Sequence, residues 1–444
     1  MTLKIISSRW LIPVEPEGLV LEQHSLVMDG ARILAIVPTD VARREYANAP
    51  ETRLDHHVLI PGFVNLHAHS AMSLMRGMAD DKALMTWLQN HIWPAEGAML
   101  SESYVYDGTL FACAEMIRSG TTCFADMYFY HHVAARAARA LGMRASVGAA
   151  ILEFPTPYAA NAEEYLTKAL SVRDEIAGDP CLKMMLTPHA PYTVADGTFK
   201  RIATIAEEAE FPIMVHLHET AGEVADELAK TGMRSVARLD QLGVLGPQTI
   251  GVHCVHLTQD EIALFAHRGV HVAHCPVSNL KLASGIAPVK AMLEAGVNVG
   301  IGTDGAASNN RLDMLSESRL AALLQKGVSG DAAAVPVHQL LRMATLNGAK
   351  ALGWDQEIGS LVAGKAADMT AIDLSAIETQ PVYDPASHIF NAAGRENVTH
   401  VWVQGEVVLE NRKLTRWSEV EAVELAQRWQ PRFLATQAAT QRTS

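Results

Sequence analysis

Three short stretches concentrate side chains that ligate metals. PGFVNLHAH (61–69) ends in His67 and His69, HLHE spans 216–219, and GTDGAASNN carries Asp304. On an extended strand, residues two apart point to the same face, so His67 and His69 project together. Three imidazoles and one carboxylate make a zinc shell with a position left for water. The second stretch leaves a choice. His216 and His218 share a face if the strand continues, and Glu219 turns into the same site only if the chain leaves strand geometry near Leu217. By spacing alone, either histidine ligates.

These residues need elements to position them. Eight short β-like runs occur at 59–69, 121–129, 144–152, 182–190, 212–219, 249–257, 270–279 and 297–305, most of them nearly continuous in apolar residues. That pattern marks strands buried on both faces. Between them lie segments with helical apolar spacing, such as GTFKRIATIAEEAEF. Eight strands alternating with helices predict a (β/α)₈ TIM barrel. His67, His69, His189, His216, His253, His274 and Asp304 all fall late in their strands. The C-terminal face of such a barrel is where chemistry is placed.

Both ends differ from the middle. Residues 1–56 and 366–415 carry short β-like pieces, neither with enough apolar residues for its own core, so the two are expected to pair into a small β-sandwich beside the barrel at 57–365. Residues 416–444 have amphipathic helical character, with the last few expected to fray.

At 444 residues, with 49% hydrophobic and 19% charged, the chain is globular. A net charge of −13 argues against a general binder of nucleic acid. Five widely spaced cysteines without a CxxC suit a reducing compartment, and buried structural roles are expected even for Cys254 and Cys275, which follow histidines. The N-terminus lacks a signal-peptide pattern and no apolar run is long enough for a bilayer, so a cytoplasmic chain without membrane contact is expected.

The motifs PGFVNLHAH, HLHE, HCVHL, HCPVSN and GTDGAASN, in that order, resemble the amidohydrolase superfamily in its one-metal branch of deaminases and chlorohydrolases. MTWLQNHIWPAE (85–96) and TPHAPYT (187–193) further resemble the 5′-methylthioadenosine/S-adenosylhomocysteine deaminase family. The resemblance covers essentially the whole chain. It implies that His67, His69, His216 and Asp304 bind one divalent metal, usually Zn²⁺, with Fe²⁺ or another ion as alternatives. It also implies catalytic roles for Glu219, His253 and Asp304, and a nucleoside held by Trp87, Glu96 and His189 together with Glu219 and Asp304. The binuclear branch carries a lysine late on the fourth strand; here Lys183 lies early and His189 late.

Elementary chemistry fits those roles. Zinc lowers the pKa of water to about 7, supplying hydroxide to attack adenine C6. Glu219 is the candidate to protonate N1, Asp304 to shuttle the proton to the departing amine, and His253 to stabilise the tetrahedral intermediate. Each residue has a plainer reading: Trp87 as core, Glu96 as a solvated loop carboxylate, His189 as a structural histidine. His131 and His132, after the second strand, either line the pocket or sit in a loop.

The loop LEFPTPYAANAEEYL has no Arg or Lys before Lys168 to meet an amino-acid carboxylate. An apolar 5′ pocket is therefore expected, ranking 5′-methylthioadenosine ahead of S-adenosylhomocysteine and adenosine. Alternatives are hydrolysis of another ring (guanine, a pterin or an s-triazine) or a non-catalytic scaffold. The expected partner is a small nucleoside, with a homo-oligomer left open.

Overall fold

The computed structural model describes residues 3–443, with side chains from 3 to 437. Two four-stranded parallel sheets form its centre. The first orders Phe63–Ala68, Thr121–Met127, Arg144–Gly148 and Leu182–Met184. The second orders Ile213–Leu217, Thr249–His253, His271–His274 and Asn298–Ile301. Every residue of Phe63–Ala68, Thr121–Met127 and Ile213–Leu217 is buried, as near-continuous apolar strands covered by helices require.

Backbone hydrogen bonds link the two sheets at both seams. At one, Leu186 N–H donates to Pro212 (2.8 Å) and Met214 N–H to Leu186 (2.9 Å). At the other, Asp304 N–H donates to the His67 carbonyl at 2.9 Å. The first and last parallel strands are thereby neighbours.

Helices follow the strands, and several begin where a side chain caps them. Ser101 accepts from Tyr104 N–H at the start of Glu102–Arg118, and Thr258 forms a full capping box with Glu261 before Gln259–Arg268. No helix among the described residues is long and apolar enough to cross a membrane. Cys113, Cys123, Cys254 and Cys275 are buried free thiols, and Cys181 is a half-buried one.

The two termini meet in one eight-stranded sheet. Leu3–Leu11 pairs antiparallel with Leu21–Asp29 and parallel with Glu51–Pro61, which pairs antiparallel with Met369–Asp373. Arg32–Pro38 closes one edge, and Val398–Val403, Glu406–Glu410 and Lys413–Leu414 extend the other. The helix Glu419–Thr443 ends the chain, and the last residues, expected to fray, lie outside the described side chains.

Some strands differ from the sequence reading. The run 59–69 divides at Gly62: Glu51–Pro61 belongs to the terminal sheet and Phe63–Ala68 to the parallel one. A side chain at Gly62 would stand 2.1 Å from Thr122, so only glycine permits this crossing. The run 182–190 breaks into Leu182–Met184 and Thr187–Pro188, the second pairing with Ala150–Ile151. Pro188 provides no N–H for a central ladder, which explains the short stretch.

One ion pair pins the terminal sheet to the parallel one. Arg144 opens the third parallel strand and donates from Nε to Asp368 Oδ2 at 3.0 Å, with side-chain exposures of 0% and 1%. Asp368 Oδ1 also accepts from Gln404 N–H at 2.8 Å, and the guanidinium stacks 5.3 Å from the Trp354 ring. Removing one partner strands a buried charge. Asp368→Ala is expected to cost about 3–5 kcal/mol, read as a lower urea midpoint. Arg144→Met with Asp368→Leu should lose much less, and equal losses would contradict the account.

Candidate active site

The strand ends at the two seams bring five side chains around one point. His67 Nε2 lies 3.2 Å from His216 Nε2 and 3.2 Å from Asp304 Oδ1, which lies 3.2 Å from His69 Nε2. His67, His216, His253 and Asp304 each offer a ligand atom within 4.8 Å of all the others. A tetrahedral ion about 2.1 Å from each ligand holds them about 3.4 Å apart. The separations match that spacing. Asp304 Oδ1 is buried and accepts no hydrogen bond among the described residues, so it is left to face a shared centre. The donor set therefore fits a divalent metal.

Each imidazole is oriented by its other nitrogen. Nδ1 of His69 lies 2.5 Å from the Met127 carbonyl, and Nδ1 of His216 lies 2.7 Å from the His189 carbonyl. His253 Nδ1 contacts Asn279 Oδ1 at 2.8 Å. With Nδ1–H donating outward, Nε2 keeps its lone pair for the centre. His67 differs, since its Nδ1 meets Met214 Sδ at 3.2 Å. Asp304 is held through Oδ2, which accepts from the hydroxyls of Ser278 (2.7 Å) and Ser308 (2.6 Å), leaving Oδ1 inward.

The choice between His216 and His218 falls to backbone geometry. The strand stops at Leu217, and His218 adopts a left-handed φ of 50°. His218 thereby turns outward, its Nδ1 3.7 Å from Glu261 and 3.4 Å from Arg234, while Glu219 swings inward. Glu223 accepts from the backbone N–H groups of both His218 and Glu219 at the start of Ala221–Thr231, holding the turn. His253, Cys254 and Asp304 also have positive φ. Such strained positions gather where surrounding structure aims side chains at a site.

A cavity of about 230 Å³ opens from this centre. Its lining includes His69, His189, His216, Glu219, His253 and Asp304 at the polar end. Trp87 and Glu96 also line it, as do Trp93, Phe129, Leu152 and Phe154. No Lys or Arg does. Trp87 Nε1–H has no acceptor among the described residues. His189 lines the wall with Nδ1 3.0 Å from Thr193 Oγ1.

Burial sets the charge states. It raises the Glu219 carboxyl above its ordinary value, against the lowering charge of His253, so this group stays protonated to higher pH. His253 Nε2 lies 3.8 Å from Glu219 Oε2, and Ser284 donates to Oε1 at 3.3 Å. Glu96 is pushed up to about 7 by burial, opposed by the hydrogen bond from Tyr128. Burial lowers His67 to about 4 and His189 to about 3, keeping both neutral. Burial also pulls His69 down, but the adjacent Asp304 carboxylate outweighs it and raises the imidazole to about 9.

Several supporting groups were not singled out from the sequence. Tyr128 donates to Glu96 Oε1 at 2.6 Å, and Ser278, Ser284 and Asn279 hold Asp304, Glu219 and His253. Serine and asparagine in HCPVSN were visible, but not which oxygen each would meet. His131 is not in the pocket: it is buried on the helix His131–Leu141 with Nε2 3.2 Å from the Ala169 carbonyl. His274 is buried with neither ring nitrogen hydrogen-bonded among the described residues.

Residues 58–408 match the amidohydrolase family. A 5-methylthioadenosine/S-adenosylhomocysteine deaminase of Saccharophagus degradans is 45% identical over 98% of this chain and 98% of its own. A 5′-deoxyadenosine deaminase of Methanosarcina acetivorans is 39% identical over 95% and 96%. Among solved structures, an adenosine deaminase from Xanthomonas campestris with bound zinc superposes with a TM-score of 0.94 at 46% identity, covering 97% of this chain and 98% of that one. With the motif order, the convergent strand ends and these likenesses together, the chain belongs to the amidohydrolase family.

Proposed function

We propose that this chain is a zinc-dependent deaminase that hydrolyses the 6-amino group of 5′-methylthioadenosine to give 5′-methylthioinosine and ammonia. S-Adenosylhomocysteine and adenosine are lesser substrates. One observation carries the reading: a buried carboxyl, Glu219, raised above its ordinary value by burial, lies beside a histidine–aspartate metal cluster at the end of an apolar cavity that also holds Glu96. In this reading the two parallel sheets form one closed (β/α)₈ barrel, and the terminal sheet folds beside it as a β-sandwich.

His67, His69, His216 and Asp304 would hold the metal, with His253 facing the reacting oxygen. When bound, the ion supplies Lewis acidity that ionises water near pH 7. Glu219 delivers its proton to N1, making C6 electrophilic. Asp304 takes the proton of the attacking water and passes it to the departing amine. His253, whose Nδ1–H donates to Asn279 Oδ1, accepts through Nε2 a hydrogen bond from the attacking water. Glu96 accepts hydrogen bonds from the ribose hydroxyls, Trp87 packs on the nucleoside and His189 hydrogen-bonds the purine.

The 5′ substituent is read from the far wall. Trp93, Phe129, Leu152 and Phe154 present apolar surface there, and no lining cation faces a carboxylate. A methylthio group gains from burial, whereas a homocysteine carboxylate would be desolvated without a partner.

Four outcomes are expected. In an ultraviolet assay of adenine to hypoxanthine conversion, 5′-methylthioadenosine should have the highest kcat/KM of the three nucleosides; a faster homocysteine compound would refute the pocket argument. Glu219→Gln should lower kcat by about 10²–10⁴-fold with metal content unchanged. Chelation should abolish turnover and zinc restore it, and because His69 must give up its proton to ligate, metal affinity should fall as pH drops below about 9. Finally, Tyr128→Phe removes a hydrogen bond that stabilises the Glu96 carboxylate. The carboxylate form binds ribose, so KM should rise as pH falls through the Glu96 pKa. In the variant that rise should begin at higher pH, and an unmoved profile would refute the role.

A further inference from the structure

A second cavity, of about 510 Å³, shares no lining residue with the first. Five arginines from separate parts of the chain line it: Arg76, Arg118, Arg311, Arg395 and Arg412. Only two carboxylates, Glu115 and Glu419, line it with them. The chain as a whole carries a net charge of −13, so this local excess of positive charge runs against its composition.

The internal partners do not absorb that excess. Glu115 is shared: it pairs with Arg76 and, through Oε1 at 3.2 Å, with Arg395. Arg118 pairs with Glu419 and donates to the Arg412 carbonyl at 2.9 Å. Among the described residues, the Arg412 guanidinium donates only to backbone carbonyls, those of Arg395 (2.5 Å) and Val398 (2.8 Å). Arg311 has no hydrogen-bond or ion-pair partner among the described residues. Burial and the facing charge of Arg118 lower the Arg412 guanidinium below its ordinary value, a sign that these cations repel one another.

Guanidinium groups are planar forks suited to bidentate recognition of tetrahedral oxyanions. Several of them around one half-enclosed space, with more charge than their own carboxylates neutralise, form a site for a multiply charged anion. We infer that this cavity binds a tetrahedral dianion of the phosphate class, either free or as the ester group of a small molecule. Its position gives the site a physical link to the active centre. Arg76 follows Ser70–Met75, which follows His69, and it hydrogen-bonds the Asn310 carbonyl at the end of the loop that begins at Asp304. Asn310 Oδ1 in turn accepts from Gly77 N–H at 3.1 Å.

The test is calorimetric titration of the zinc-loaded full chain at low ionic strength with inorganic phosphate and, separately, adenosine 5′-monophosphate. Saturable binding of one to one is expected, and the tighter of the two ligands tells whether the site prefers the free ion or the ester. Arg311→Gln, which breaks no internal contact, should raise Kd several-fold, and Arg311→Gln with Arg395→Gln at least tenfold. Asp304→Asn should leave Kd unchanged. Absence of saturable heat below about 10 mM would overturn the inference. So would binding that survives the arginine substitutions, or binding lost in Asp304→Asn, which would place the phosphate at the metal cluster.

Discussion

The structure depends on directing four imidazole nitrogens and one carboxylate oxygen toward a common point. Tethering the opposite atom of most of them achieves this. Carbonyls of Met127 and His189 hold His69 and His216, and an asparagine holds His253. Two hydroxyls hold the outer oxygen of Asp304. Separations of 3.2 Å place these ligand atoms close to the spacing that a shared cation requires. The fold maintains them because each tether lies on a strand or on the turn just past one. A cation bound there would meet ligands already held in place.

The same low-polarity surroundings that make this convergence costly also tune the acids. Glu219 and Glu96 are both raised by burial, against the lowering influence of different neighbours. Glu219 faces His253 and the histidine–aspartate cluster. Glu96 is held by a phenol, where a hydrogen-bond acceptor is useful. Two carboxyl groups in one cavity thus meet different surroundings, set by what each touches rather than by residue type. The apolar wall opposite them excludes water and strengthens both interactions.

The termini do structural work that reaches the centre. The terminal sheet is pinned to the third parallel strand by Arg144 and Asp368, and Glu51–Pro61 runs directly into Phe63–Ala68 through Gly62. The strand that delivers His67 therefore begins from the terminal sheet. The arginine cavity lies among the same segments, drawing residues from the helix Glu102–Arg118, the turns around Arg395 and Arg412, and the loops beyond His69 and Asp304. Arg76 and Asn310 join those two loops behind the site.

Much of this was legible beforehand. Alternating apolar runs and helical spacing mark the eight parallel strands, because a strand buried on both faces must be apolar along its length. Side-chain parity places His67 and His69 together, and Asp304 is marked by its turn-forming neighbours. The expectation that the ends of the chain pair followed from neither having a core of its own. Local information could not choose between His216 and His218, because the answer is one left-handed φ at His218, held by Glu223 on the following helix. It also could not find Tyr128 beside Glu96, 32 residues away, or place five arginines in one cavity. Periodicity and residue type determined which elements form and which ends carry chemistry. Only tertiary structure decided which atoms meet, since that depends on contacts between segments whose distance along the chain says nothing of their distance in space.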